Sequence, residues 1–192
     1  MNSQDFIRNA IKTESVVEQL NIDKTVLMNA LKLFAMTAEL LDCIKKQAFY
    51  NNPTKSNENT LRILDQMGST IIHLRQRFVR LQKDGNTPEI PENVNTRIAH
   101  GVIGISTEAG ELAECLLTSL ENDSPIDLIN LAEELFDGDW YKAVISDECD
   151  IDWEEWWDII IDKLKARYGD RFSEEKANTR DLDAERNILE NK

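Results

Sequence analysis

Breakers, thiols and imidazoles are all scarce in this 192-residue chain, which has four prolines, seven glycines, three cysteines and two histidines. So few proline and glycine residues leave long segments uninterrupted, and apolar residues recur in them at three-and-four spacing, the mark of helices; no alternating strand-like run is present. Three distant cysteines, Cys43, Cys115 and Cys149, form no metal-type spacing and no even disulfide set, so they read as buried reduced thiols. No run comes near the roughly 20 apolar residues that cross a bilayer. The opening Met-Asn-Ser-Gln-Asp lacks a basic stretch leading into an apolar one, so the expectation is an unexported, cytoplasmic protein with no membrane partner.

Positive charge is also short: 22 Lys and Arg stand against 36 Asp and Glu, a formal net charge of -14. That balance repels polyphosphate backbones and argues against a nucleic-acid partner. It leaves a nucleotide substrate open, because divalent cations can bridge carboxylates to phosphates. A hydrophobic fraction of 41% in a chain of this length predicts one all-α domain over 1–192.

The periodicity predicts helices over about 3–20, 24–50, 59–83, 95–120, 125–146 and 153–167. The turn Asp84-Gly85-Asn86 and a proline-bearing connector over 87–92 follow the third, so 51–94 reads as a helical insertion. Ser124 is the expected N-cap of the fifth, with Pro125 at its first position and Asp127 as the capping acid. From 168 to 192 the chain reads as a polar, charged tail.

Glu108-Ala109-Gly110-Glu111 sets two carboxylates three apart on one helix face, and Glu134-Leu135-Phe136-Asp137 repeats the device on the next helix. Glu111 lies 11 positions before Asn122 and Glu134 lies 10 after Ser124. In an antiparallel hairpin both pairs therefore stand at the same height, roughly 15 to 20 Å from the turn. Each pair alone suits a solvated helix face; two pairs at matching height suit four carboxylates converging on hard divalent ions, since without them such a cluster repels itself. Small residues at 109 and 110 would let a ligand or a neighbouring helix approach. A di-iron bundle needs Glu-x-x-His motifs, and neither His73 nor His100 stands three after a glutamate. His100 reads as a packing residue, and Trp140, Trp153, Trp156 and Trp157 as mostly core. Lys163 and Arg167 share a helix face and, with Lys45 and Lys46, are the cations available to a triphosphate, although each pair is equally what an exposed salt bridge would use.

These residues resemble the MazG-like, all-α nucleoside triphosphate pyrophosphohydrolase superfamily, whose signature is Glu-x-x-Glu on one helix and Glu-x-x-Asp on the next. Gly104-Ile105-Ser106-Thr107-Glu108-Ala109-Gly110-Glu111-Leu112-Ala113-Glu114 carries the first half and Glu133-Glu134-Leu135-Phe136-Asp137-Gly138-Asp139-Trp140-Tyr141 the second. Lys163-Leu164-Lys165-Ala166-Arg167-Tyr168 is similar to a Lys-x-x-x-Arg step, and Phe172-Ser173-Glu174 with Thr179-Arg180-Asp181 to the tail of phage-type members. Thr13-Glu14-Ser15 and Asp42-Cys43-Ile44-Lys45-Lys46 with Phe49-Tyr50 extend the likeness weakly toward the N-terminus. Phe136 departs from a usual glycine, Gly138-Asp139 from an apolar pair and Gly169 from a proline.

The resemblance implies a helical bundle with a four-helix core and extra N-terminal and inserted helices. It implies hydrolysis of a (deoxy)nucleoside triphosphate to the monophosphate and pyrophosphate, with Glu108, Glu111, Glu134 and Asp137 as catalytic ligands of Mg²⁺, Mn²⁺ substituting. Lys163, Arg167, Lys45, Lys46 and Arg180 would bind substrate. It further implies a homodimer or higher homo-oligomer and, for a phage-type member, the host cytoplasm. Two alternatives stay open: a hydrolase of another phosphoanhydride (phosphoribosyl-ATP, an alarmone, a modified nucleotide), and a non-catalytic helical interaction protein that retains the acidic motif.

Overall fold

The computed structural model describes residues 1–50, 53–83 and 88–190, with side chains from residue 59 onward in the second segment. The expected breaks at Asn51-Asn52 and Asp84-Gly85-Asn86 lie outside them. The described chain is all-helical: α1 (Ser3–Ala10), a 3₁₀ turn (Ile11–Thr13), α2 (Lys24–Tyr50), α3 (Pro53–Lys83), α4 (Thr96–Asn122), α5 (Leu128–Glu148), α6 (Trp153–Tyr168), α7 (Glu174–Asn178) and α8 (Leu182–Glu190). None of these helices is long and apolar enough to cross a membrane. The chain divides into two compact units, Met1–Leu20 with Asn93–Asp158, and Asn21–Glu92 with Ile159–Lys192.

In the first unit, α4 and α5 form the antiparallel hairpin that the spacing predicts. Asn95 caps α4 by accepting the Ile98 N–H at 3.0 Å. Asp123 and Asp150, left-handed at φ 48° and 53°, end α4 and α5. Beyond each, the same bond closes the helix, Ser124 N–H to Ser119 O at 3.1 Å and Ile151 N–H to Ser146 O at 2.9 Å. The cap of α5 is Asp127, which accepts from Ile129 and Asn130 at 2.9 and 3.2 Å, rather than the expected Ser124. A carboxylate one position before the helix reaches two orphan N–H groups, while Ser124 is drawn back onto α4.

At Gly104 the helices are so close that an added Cβ would stand 2.1 Å from the Tyr141 ring. Against the far side packs α1, whose Ile7 and Ala10 meet Ala143 in a core flanked by Phe6, Ile11, Trp140 and Trp153. The helix expected over 3–20 ends at Ala10 and its 3₁₀ turn at Thr13, because the backbone beyond makes other bonds. Glu14 accepts from Arg97 at 2.7 Å, Val17 O accepts from Thr96 Oγ1 at 2.8 Å, and the Trp140 indole donates to Ala10 O at 3.0 Å. Arg97 also reaches Asp147 and Glu148 at 2.8 and 2.9 Å, so this one side chain joins the open end of the hairpin to the N-terminal segment.

In the second unit α2 and α3 form another hairpin. The bounds of α2 match expectation; α3 begins at Pro53, six residues earlier than its apolar period, with proline at a helix-opening position that needs no N–H donor. Ile63 is fully buried, with Val26 and Cys43 also enclosed. Asp23 caps α2 at Val26 N–H and receives Arg77 at 2.6 Å and the Glu89 N–H at 3.0 Å. The Arg77 guanidinium, first among these donors, holds the Asp23 carboxyl well below the usual carboxylate range.

The segment 168–190, expected as a tail, folds into α7 and α8. Gly169 sits in the left-handed region at φ 68°, which a proline could not adopt, and its N–H closes α6 on Lys165 O at 2.6 Å. Glu185 is buried between Arg180 and Arg167, which hold its carboxyl down at about 2.

Candidate metal centre

Three of the four expected carboxylates meet. One carboxylate oxygen each from Glu108, Glu111 and Glu134 lies within 4.8 Å of the others, Glu108 and Glu134 being buried and Glu111 exposed. The register of α4 and α5 causes this: Gly101 packs on Ile145, Gly104 on Tyr141, Gly138 stands beside Glu108, and the Asn130 amide lies 2.8 Å from Cys115 Sγ. On that ladder Glu111 stands opposite Glu134, and Glu108 opposite Asp137. Asp137 is exposed and outside the tight trio.

The electrostatics follow from the crowding. Glu111, then burial, then Glu108 push the Glu134 carboxyl up to about 7, well above the usual carboxylate range. Burial, then the charges of Glu108, Asp137 and Glu111, push the Tyr141 hydroxyl above its ordinary value, which sets that ring and Asp137 within the same field. A cavity of about 540 Å³ runs from Glu111 and Glu134 toward the hairpin turn, lined by Thr118, Ser119, Ser124 and Asn130.

This donor set fits a hard divalent cation. It offers only carboxylate oxygen, with no thiolate or imidazole to favour a transition metal. Oxygens about 2.1 Å from one Mg²⁺ lie at most about 4.2 Å apart, so side-chain rotation alone would close the trio. A cation there would favour the charged form of Glu134 and offset the crowding that raises its carboxyl.

The basic residues are placed differently. Lys45, Lys46, Arg167 and Arg180 line one cavity of about 470 Å³ in the second unit, with Asp42, Tyr50 and Tyr168. Lys163, one turn before Arg167 on α6, is not among its walls. Each lining cation already has an anion: Lys45 and Lys46 reach Asp42 at 2.7 and 2.5 Å, and Arg167 and Arg180 reach Glu185 at 2.7 and 2.6 Å. The acidic trio belongs to the first unit and this cavity to the second.

Several features escape sequence reasoning. Tyr141, beside the carboxylates, was legible only as an aromatic after the acidic motif. Asp139, an acid where a core residue is expected, is paired with Lys142 at 2.9 Å, and Phe136 is 66% exposed, so neither disturbs the hairpin interior. His100 packs edge-on against Trp140 and Tyr141, as a packing residue should. The tryptophans, expected as mostly core, are not: Trp156 and Trp157 are exposed, by 39% and 56%, and Trp140 and Trp153 are half-buried. Cys43 and Cys115 are buried, whereas Cys149 is exposed at the end of α5, correcting the expectation of three buried thiols. Compared with known protein families, with curated proteins and with solved structures, the chain finds no match.

Proposed function

We propose that this chain is a divalent-metal-dependent pyrophosphohydrolase that converts a (deoxy)nucleoside triphosphate and water to the monophosphate and pyrophosphate. The observation that carries this reading is the convergence of Glu108, Glu111 and Glu134 from two helices in register. The motif resemblance of these helices selects nucleotide hydrolysis among the uses of such a cluster. Glu108, Glu111 and Glu134 would hold Mg²⁺, with Mn²⁺ as a substitute, and Asp137 stands at the same level. A bound divalent ion supplies neutralisation of phosphate charge and acidification of an attacking water. Asp137, the exposed carboxylate outside the trio, is the group left to accept that water's proton at its side-chain oxygens.

Pyrophosphate release is measured over a panel of nucleoside triphosphates, phosphoribosyl-ATP and an alarmone, with Mg²⁺, Mn²⁺ or chelator. Metal-dependent release from triphosphates that Glu111→Gln abolishes is the expected result. Release confined to another member of the panel transfers the reading to that phosphoanhydride. No release from any substrate removes the enzymatic reading altogether.

A further inference from the structure

The cavity that opens beside Glu111 and Glu134 keeps one chemistry along its length. Four carboxylates wall it, those of Glu111, Glu114, Asp127 and Glu134, together with hydroxyl, amide and thiol groups; among the described residues no lysine, arginine or histidine does. Glu134 is only 8% exposed, and no cation pairs with it among the described residues. At about 540 Å³ the space falls within the roughly 300 to 1,000 Å³ of small-molecule sites.

Two bonds set the walls. The Asn130 amide lies 2.8 Å from Cys115 Sγ across the two helices, and the Ser119 hydroxyl donates to Ser124 O at the turn. The Thr118 hydroxyl and the Glu114 carboxylate are left over, with no partner among the described residues. Both stand on the face of α4 that carries Glu111. Cys115 and Asn130 lie one helical turn, about 6 Å, from the level of Glu111 and Glu134, and Thr118 lies about 10 Å from it. Those levels suit the sugar and the base of a nucleotide whose phosphates sit at the carboxylate trio.

Charge decides which part of a ligand enters. These walls repel phosphate wherever no cation intervenes. An apolar ligand would strip water from the carboxylates without replacing its hydrogen bonds. Ionised carboxylates only accept, so the cavity selects groups that donate: sugar hydroxyls and the exocyclic amino group of a base. We infer, resting on the nucleotide reading above, that this cavity holds the nucleoside half of the substrate and favours cytosine or adenine over uracil or thymine, with Glu114 accepting from the exocyclic amino group. Uracil and thymine carry a carbonyl where cytosine carries that amino group, and a carboxylate facing a carbonyl is unfavourable. A polyamine would also find acceptors here, but it has no phosphate end to place at the proposed metal centre, which the cavity adjoins.

The test uses the full chain labelled with ¹⁵N. Cytidine, adenosine and uridine are titrated without metal, and the corresponding monophosphates with Mg²⁺, while the backbone N–H signals of 111–134 and the Asn130 side-chain amide are followed by NMR. Cytidine and adenosine are expected to shift Thr118, Ser119 and Asn130 at roughly tenfold lower concentration than uridine. Glu114→Gln, at an exposed position, should keep the helical circular dichroism and bring cytidine and uridine level, because a carboxamide both donates and accepts. Shifts absent from these residues in both titrations, uridine as effective as cytidine in the wild-type chain, or a preference that survives Glu114→Gln would each overturn the inference, as would shifts caused by spermidine and by no nucleoside. Pyrophosphate release without these shifts removes the cavity assignment alone, whereas nucleoside shifts without release remove the hydrolysis alone.

Discussion

Replacing Gly104 by alanine tests the hairpin register on which the proposed metal centre depends. The new methyl would sit 2.1 Å from Tyr141 Cδ1 and Cε1 and 2.4 Å from Cγ. Carbon contacts settle near 3.5 to 4.0 Å, so either the ring swings out or the helices part by more than about 1 Å. Overpacking of that kind costs about 1 to 3 kcal/mol, and the helix propensity of alanine over glycine returns about 0.8 to 1 kcal/mol. The net loss runs from near zero to about 2 kcal/mol, which at roughly 2 to 4 °C per kcal/mol lowers the melting temperature by up to about 8 °C. Gly110→Ala, six residues along the same helix with nothing within 4 Å of its added Cβ, is the control and should gain about 0.5 to 1 kcal/mol. All four tryptophans lie in the first unit, so their fluorescence follows its unfolding and not that of the second. Gly104→Ala gaining as much stability as Gly110→Ala would refute the close approach of α4 and α5 at that level, and with it the opposition of Glu111 and Glu134.

Other consequences can be measured in the same way. Because the Glu134 carboxyl is raised from 4.5 to about 7 in the folded chain, metal-free first-unit stability should fall as pH rises through that interval. Mg²⁺ should oppose the fall and raise the melting temperature, while Glu134→Gln should stabilise the metal-free protein at neutral pH and abolish the Mg²⁺ response; a Mg²⁺ shift surviving in that variant counts against the site. Glu185 behaves oppositely: lowered from 4.5 to about 2, its stabilisation is complete above pH 5 and disappears as pH falls toward 2, so acid should loosen the second unit and Glu185→Gln should flatten that dependence in a denaturant series. If the lysines of the second unit bind the triphosphate, Lys45→Gln/Lys46→Gln should raise KM several-fold with kcat less affected, and an unchanged KM would leave them only their bond to Asp42.

What could be read in advance was what repeats. The apolar period placed α2 correctly at both ends, and equal spacing from a turn was enough to set Glu111 opposite Glu134. Failures occurred where a single distant bond decides the backbone. Arg97 and Thr96 capture the segment after Thr13, which by composition alone could continue as helix. The cap of α5 falls on Asp127 rather than Ser124 because the helix starts at Leu128 and Ser124 is bonded back to Ser119. The folding of 168–190 depends on one buried carboxylate, Glu185, bridging two arginines, and no local pattern announces such a partner. Lys163 and Arg167 share a helix face, yet only Arg167 lines the cavity with Lys45, Lys46 and Arg180.

Arg97 gives the acidic hairpin a second fastening. One end of the helix pair is held by its turn at Asp123, and the other by a guanidinium that grips Glu14, Asp147 and Glu148 together. A pair of rods pinned at a single point can slide lengthwise by a helical step, whereas rods pinned at both ends cannot. The mutual repulsion of the carboxylates midway along them is therefore contained by the frame, so an arriving cation would meet ligands already aligned and would need to reorient only their side chains.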